Sequence, residues 1–287
     1  MNFKLIDTHC HVHFQAYKED MDQVVQRALD EGVAMITVGT QSTTSKNGLD
    51  LAEKYDGVWA TIGLHPNHLH KQEFFDQNEL PPEQRGTGKI KTRAETFDPE
   101  YYRGLVSHPK VVAIGEFGLD YYRLPADVER AQIIEDQKAS TQLQLQFASE
   151  VDKPVVIHCR DAHQDQFELL REEVSRGGLE RRGVVHCFTG TPEDAERYRE
   201  IDFLVSITGI VTFAKDLQKT VQDIPLKQIM IETDAPYLTP EPYRGKRNEP
   251  RYVKFVAEKI AQIKGVRAEE VAEITTANAK NLFNLQA

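Results

Sequence analysis

Two histidines separated by a single residue, His9 and His11, stand near the start of the chain inside Asp7-Thr8-His9-Cys10-His11, directly after the apolar lead-in Phe3-Lys4-Leu5-Ile6. Side chains two apart on an extended strand point to the same face, so the two imidazoles would project together as a two-nitrogen clamp for a metal ion. Four more potential ligands follow: Glu116, His158, His186 and Asp234, each at or just past the carboxyl end of its own short apolar run. Imidazole nitrogens suit a borderline metal such as zinc or manganese, and carboxylates neutralise and bridge such ions. One carboxylate, Glu116, could span two ions about 3.5–4 Å apart with a water between them, and such a water attacks phosphorus or an acyl carbon near neutral pH. A lone strand histidine is more often a hydrogen-bonded core residue. Six candidates at the same ends of successive runs make the metal reading the stronger one.

Those runs predict the elements that must position the six side chains. Strands are expected at about Lys4–Thr8, Val33–Thr40, Val58–Gly63, Val111–Glu116, Pro154–His158, Gly183–Cys187, Phe203–Ile207 and Gln228–Thr233. Most are apolar with little alternation, as in parallel strands covered on both faces. Helical patterns lie between many of them. One carries Met21, Val24, Val25, Ala28 and Leu29 on one face with Gly32 as its stop. Another runs from about Ala126 to Glu150 with Val128, Ala131, Ile134, Leu143 and Phe147 among its apolar positions, and a third starts at Thr191-Pro192. The 287 residues fit an α/β fold: one (β/α)8 TIM barrel domain spanning 1–287, with a long loop insertion after the third strand and C-terminal helices. The alternative, an open doubly wound sheet, would need a glycine-rich phosphate loop that is not seen. It would also leave ligands from strands one, four, five, six and eight apart, whereas a closed barrel gathers them.

Composition fits a soluble globular enzyme, with 40% hydrophobic and 28% charged residues. No apolar stretch reaches the ~20 residues of a membrane span, and the N-terminus enters a strand without a signal-like apolar region, so a cytoplasmic protein is expected. The net charge of −10 disfavours broad electrostatic adhesion to duplex DNA. It leaves a nuclease open, because bound divalent cations reverse the sign inside a pocket. Cys10, Cys159 and Cys187 each adjoin a candidate ligand, and reduced packing cysteines are the expectation. Two basic clusters stand out: Lys89, Lys91 and Arg93, then Arg244, Lys246, Arg247 and Arg251. The first reads equally as solvated surface or phosphate contact. The second follows the Asp234 strand on the side where a barrel site opens, which favours phosphate contact.

The sequence resembles the TatD-family metal-dependent hydrolases within the amidohydrolase-like barrel superfamily. The resemblance is carried by Asp7-Thr8-His9-Cys10-His11, Gly63-Leu64-His65-Pro66, Gly115-Glu116-Phe117-Gly118-Leu119-Asp120-Tyr121-Tyr122 and Val156-Ile157-His158-Cys159-Arg160-Asp161-Ala162. Val185-His186-Cys187-Phe188-Thr189-Gly190, Ile231-Glu232-Thr233-Asp234-Ala235-Pro236-Tyr237-Leu238 and Arg244-Gly245-Lys246-Arg247-Asn248-Glu249-Pro250 complete it, in family order over essentially the whole chain. It implies two divalent metal cations (zinc, manganese or magnesium). One would be held by His9, His11, Glu116 and Asp234, the other by Glu116, His158 and His186. It further implies a deoxyribonuclease, commonly a 3′→5′ exonuclease on single-stranded or frayed DNA, with RNA cut by some members. A metal-bridging hydroxide would attack the phosphodiester, Asp234 would accept its proton, and Glu116 would join the two metal sites. Some relatives are described as D-aminoacyl-tRNA deacylases, an ester-hydrolase alternative; a non-catalytic binding protein on the same barrel is a minor one.

The remaining residues are read one at a time. His65 is expected to bind a phosphate oxygen at the pocket rim, against a loop-capping role. Arg160, two beyond His158, is divided between phosphate contact and an ion pair, and Lys246 and Arg247 are expected to meet substrate. Glu232 is expected to lie one layer below Asp234 as a pairing residue. His13 is expected not to ligate, and His68, His70, His108 and His163 to be ordinary loop or helix residues. Tyr121 and Tyr122 could stack on a base or pack at the barrel mouth. The stretch 71–98 is long, polar and rich in breakers, and reads as a lid bearing the first basic cluster or as a surface insertion. No obligate protein partner and no membrane are expected.

Overall fold

The computed structural model describes residues 3–74, 90–125 and 128–285. Strands and helices alternate from the start: β1 (Leu5–Cys10), α1 (Met21–Asp30), β2 (Val33–Val38), α2 (Ser42–Ala52) and β3 (Val58–Ile62). A two-residue antiparallel ladder, β4 (Glu73–Phe74) with β5 (Ile90–Lys91), precedes α3 (Pro99–Val106). Then come β6 (Val111–Asp120), α4 (Arg130–Glu150), β7 (Val155–Arg160), α5 (His163–Ser175), β8 (Gly183–Val185), α6 (Pro192–Glu200), β9 (Leu204–Ile207), α7 (Lys215–Asp223) and β10 (Ile229–Ile231). Two helices, α8 (Val253–Lys264) and α9 (Ala268–Phe283), end the described chain.

Eight strands form one parallel sheet in the order β1-β2-β3-β6-β7-β8-β9-β10. Its two edges meet: Cys10 bridges Ala235 in parallel, Asp234 N–H donates to the His9 carbonyl (2.9 Å), and Thr8 Oγ1 donates to the Ile231 carbonyl (3.0 Å). The result is a nearly closed barrel with helices outside, as the sequence predicts. Of the expected insertion over 71–98, the β4–β5 ladder carries the two ends; residues 75–89, Lys89 included, lie outside the described residues.

Alternate strand residues divide between two apolar clusters. Leu5, Val33, Met35, Val58, Ile114 and Val155 pack outward with helical residues such as Val24, Leu49, Phe147 and Leu170. Ile6, Ala34, Val112, Val156, Val184 and Met230 pack inward with Ala279 and Phe283 of α9. That helix covers the amino ends of the strands: Thr276 Oγ1 donates to the Lys4 carbonyl (3.3 Å) and Asn278 Nδ2 to the Ile229 carbonyl (2.8 Å).

α4 departs from the predicted pattern. Its buried face is Ile133, Gln137, Thr141, Gln144, Leu145, Phe147 and Ala148, whereas Ala131 and Leu143 are exposed. The polar members serve the strand ends. Gln137 accepts from Asp120 N–H (2.8 Å) and donates to the Asp120 carbonyl (3.0 Å). Gln144 does the same with Leu64 (2.8 and 3.0 Å). A side-chain amide therefore takes the place of a missing neighbouring strand at two positions beside candidate site residues.

Candidate metal centre

Strict alternation from Leu5 would turn His9 outward, to the helical shell. The pairing shows why it does not. Asp7 pairs with Met35 and Cys10 with Thr37, so β1 uses three steps where β2 uses two. This extra residue is a bulge, which re-aims a side chain. Cys10 returns to the outward face and joins the shell cluster, while His9 and His11 point inward. β6 repeats the device: Ile114 pairs with Val155 and Phe117 with Ile157, leaving Gly115-Glu116 as the irregular step. Only glycine fits there, because φ at Gly115 is +153° and a Cβ would lie 2.6 Å from Val156 Cβ.

The structure brings all six candidate ligands together. His9 Nε2 lies 3.2 Å from His11 Nε2 and 3.4 Å from Glu116 Oε2. Asp234 Oδ1 is 3.8 Å from His9 Nε2 and 3.4 Å from His11 Nε2. On the other side, Glu116 Oε1 is 2.9 Å from His158 Nδ1 and 2.7 Å from His186 Nε2. The two oxygens of Glu116 thus face two different sets of imidazoles. His186 also stacks on His9, with centroids 3.9 Å apart. Among the described residues, three groups have ligand atoms close enough to hold an ion: His9–His11–Glu116, His65–Glu116–His158 and His9–His186–Glu232.

Hydrogen bonds on the far ring nitrogens sort these histidines. A carbonyl or carboxylate can only accept, so in a neutral ring the far nitrogen bonded to one carries the proton and the nitrogen facing the site keeps the lone pair. His11 Nδ1 donates to the Val38 carbonyl (2.8 Å), which leaves a lone pair on Nε2. His158 Nε2 donates to Asp120 Oδ2 (3.1 Å), which leaves a lone pair on Nδ1, the nitrogen facing Glu116. Such outer partners are what metal-bound histidines use to fix ring and tautomer. His65 is wired the other way: its Nδ1 accepts Asn67 N–H (3.1 Å), so in the neutral ring Nε2 is a donor, 3.3 Å from Glu116 Oε1. His65 is therefore suited to donate a hydrogen bond, and His11 and His158 to ligate. The donor set fits divalent cations.

Electrostatics agree. Burial pushes the Glu116 carboxyl up, but the charges of His186, His65 and His9 outweigh it and hold the group well below the ordinary carboxylate range. Burial lowers His158, yet hydrogen bonds to Asp120 and Glu116 raise it overall, and Glu116 with Glu232 does the same for His186. These nitrogens face carboxylate oxygen and call for a positive charge between, a proton or a metal ion. His65 stays low through burial and the charge of His158.

Asp120, to which the sequence assigns no role, and Glu232 each hold a site histidine. Asp120 Oδ1 accepts the N–H groups of Tyr122 (3.0 Å) and Arg123 (2.8 Å) while Oδ2 takes His158. Glu232 Oε1 accepts Cys187 N–H (2.7 Å) and lies 3.4 Å from His186 Nδ1. The visible signal for Asp120 is a carboxylate at even spacing from Glu116 on an apolar strand.

The basic candidates separate. Arg160 ends β7 with its guanidinium 3.8 Å over the Tyr122 ring. Lys246 is exposed, with Nζ 5.6 Å from the Tyr243 ring. Arg247 differs from the expected phosphate contact: it donates to both oxygens of Asp20 (2.8 and 2.6 Å) and to the Ala16 carbonyl (2.8 Å), over Tyr17. Arg251 pairs with Glu31 and Glu249. Of the other histidines, His68 lies edge-on to His65 with centroids 6.3 Å apart, and the rest lie elsewhere: His13 on Thr37, His70 near Asp136, His108 near Glu53 and His163 beside Cys159 and Tyr198. The three cysteines are free, with Cys10 and Cys159 buried. Among the described residues no helix is long and apolar enough to cross a membrane.

Comparisons with known proteins cover nearly the whole chain. A family model described as TatD related DNase matches residues 6–284. The uncharacterized metal-dependent hydrolase YabD of Bacillus subtilis (strain 168) is 40% identical over 98% of this chain and 99% of its own. The 3′-5′ ssDNA/RNA exonuclease TatD of Edwardsiella piscicida is 34% identical over 94% of this chain and 95% of its own. The crystal structure of YjjV, a TatD homologue from Escherichia coli K12, matches with a TM-score of 0.81 at 28% identity, covering 100% of both chains.

Proposed function

This chain belongs to the TatD-related DNase family and is a metal-dependent hydrolase, and on that premise we propose that it removes nucleotides from the 3′ ends of single-stranded or frayed DNA, and of RNA. The observation that supports this most is Glu116, whose two oxygens each face a separate set of nitrogens. His9, His11, Glu116 and Asp234 would hold one divalent cation, and Glu116, His158 and His186 a second. Bound there, two such ions supply an activated water at neutral pH and neutralise charge developing on the phosphate.

The chain's own groups do the rest. Asp234 Oδ1, beside His9 and His11, takes the proton of the attacking water. His65 donates Nε2–H to a phosphate oxygen, since Asn67 holds its other nitrogen as an acceptor. Arg160 and Lys246 meet flanking phosphates from the rim, while Arg247 braces the Lys246 loop through Asp20.

The test is cleavage of end-labelled single-stranded DNA by metal-reconstituted protein beside its Asp234→Asn variant. We expect a ladder shortening from the 3′ end, slowed by about 10²–10⁴-fold in the variant. Equal rates would remove Asp234 from the reaction. No cleavage with metal bound would move the substrate search to aminoacyl-tRNA and small esters.

A further inference from the structure

The β6 strand ends against the site through Asp120, and Tyr122, two residues on, is 63% exposed. Its neighbour Tyr121 is committed elsewhere, donating to Asp165 Oδ2 (2.8 Å). Tyr122 is held at its backbone instead: its N–H donates to Asp120 Oδ1 (3.0 Å), the carboxylate whose other oxygen holds His158 (3.1 Å). One face of the Tyr122 ring carries the Arg160 guanidinium at 3.8 Å. Arg160 has no carboxylate partner among the described residues, in contrast to Arg247 and Arg251, which are paired with acids. It shares a strand face with His158, about 6.6 Å further along β7.

From this juxtaposition we infer that Tyr122 and Arg160 form a nucleotide subsite beside the metal centre, in which the open face of Tyr122 stacks a base and Arg160 holds that nucleotide's phosphate. The inference rests on the nuclease reading and adds to it what part of the strand is gripped. An aromatic face accepts any base, so the subsite favours unpaired strands without selecting sequence. The guanidinium stacked behind the ring stiffens it and leaves N–H donors at the plane's edge for phosphate oxygens. Because one carboxylate sets both the Tyr122 backbone and the His158 ring, the subsite keeps a fixed distance from the reacting phosphate.

The experiment uses the metal-loaded full chain and two single-stranded oligonucleotides, identical except for an abasic unit second from the 3′ end in one. Kd is read by fluorescence anisotropy in the Asp234→Asn background, and KM and kcat in the otherwise unaltered chain. Tyr122→Ala should raise Kd and KM for the normal strand about tenfold, leave kcat within twofold, and change the abasic strand little, while Tyr122→Phe behaves as the parent. Arg160→Ala should lower the slope of log K against log salt by about 0.7, one phosphate contact. Equal loss on both strands, or none on either, overturns the stacking. An unchanged salt slope overturns the phosphate contact. If the unaltered chain neither cleaves nor binds the strands, the nuclease reading fails and takes the subsite with it; if it cleaves and the variants match it, only the subsite falls.

Discussion

At the scale of single residues, the difference between a ligand and a hydrogen-bond donor is set one shell out. His11, His158 and His65 are all buried or nearly so beside Glu116, yet Val38 and Asp120 leave a lone pair on the nitrogen that faces the site, whereas Asn67 leaves a proton there. Asp120 is the partner whose role can be isolated. An asparagine there has one acceptor oxygen, which cannot serve both the Tyr122–Arg123 N–H groups and His158. Asp120→Asn should weaken metal binding about 10–100-fold at the His158–His186 side, with the His9–His11 side unchanged. Titration of zinc or manganese into metal-free protein reads this directly, and two unchanged affinities would show that Asp120 does not orient the ring. Asp20 illustrates charge placement outside the centre. The bond from Arg247 holds its pKa below the usual value, with burial opposing. A depressed carboxylate stabilises the fold above its unfolded pKa of about 3.9, and that contribution disappears as pH falls through the lower folded value. Asp20→Asn should therefore lower stability by about 1 kcal/mol at pH near 6. The gap should begin to close as pH falls below about 4 and vanish below the lower folded value, where the folded parent's Asp20 is also protonated. Urea midpoints at the two pH values check the sign.

At the scale of elements, the eight strands were legible because each is a short apolar run between breakers, and parallel burial leaves few other readings. The six candidate ligands were legible because they stand at run ends. What the run pattern did not carry is the parity of His9 and Glu116. Both depend on a bulge whose extra residue is visible only in the partner's register, Asp7–Cys10 against Met35–Thr37 and Ile114–Phe117 against Val155–Ile157. The inner face of α4 was also missed, since glutamine and threonine do not score as core. Yet Gln137, Thr141 and Gln144 recur at helical spacing and bond the strand ends. Arg247 was misplaced for a related reason: spacing marks a cation near the mouth but not the acid that claims it. The α4 contact has a measurable consequence. Gln144→Leu keeps volume and apolar contact but strips partners from the buried Leu64 N–H and carbonyl. Each unsatisfied group costs about 1–3 kcal/mol, so the variant should lose about 2–6 kcal/mol in urea unfolding. Because Leu64 precedes His65, its activity at permissive temperature should also fall; a stable variant with full activity would show that the helix does not set the His65 loop.

At the scale of the whole molecule, the barrel separates stability from chemistry along its axis. The strand carboxyl ends carry histidines and carboxylates, which face one another at short range and gain little packing. The amino ends carry Ile6, Ala34, Val112, Val184 and Met230, closed off by Ala279, Phe283 and Leu285. Between them Thr8 and Ser206 contact at 3.2 Å, a small polar layer where apolar filling gives way to the site. This arrangement lets bulges and left-handed residues such as Asp234, with φ 54°, persist at one end because the other end holds the strands in register. A change at the amino end should therefore act on folding alone. Phe283 is 3% exposed, and truncating a buried phenylalanine costs about 3–5 kcal/mol. Phe283→Ala should lower the unfolding free energy, read from urea titration, by that amount while leaving kcat/KM and metal stoichiometry unchanged in the fraction that stays folded. A loss of kcat/KM matching the loss of stability, measured well below the unfolding transition, would mean that the α9 end and the metal end are mechanically coupled. The barrel would then be one device through its length, and the clean axial division drawn from its layers would not hold.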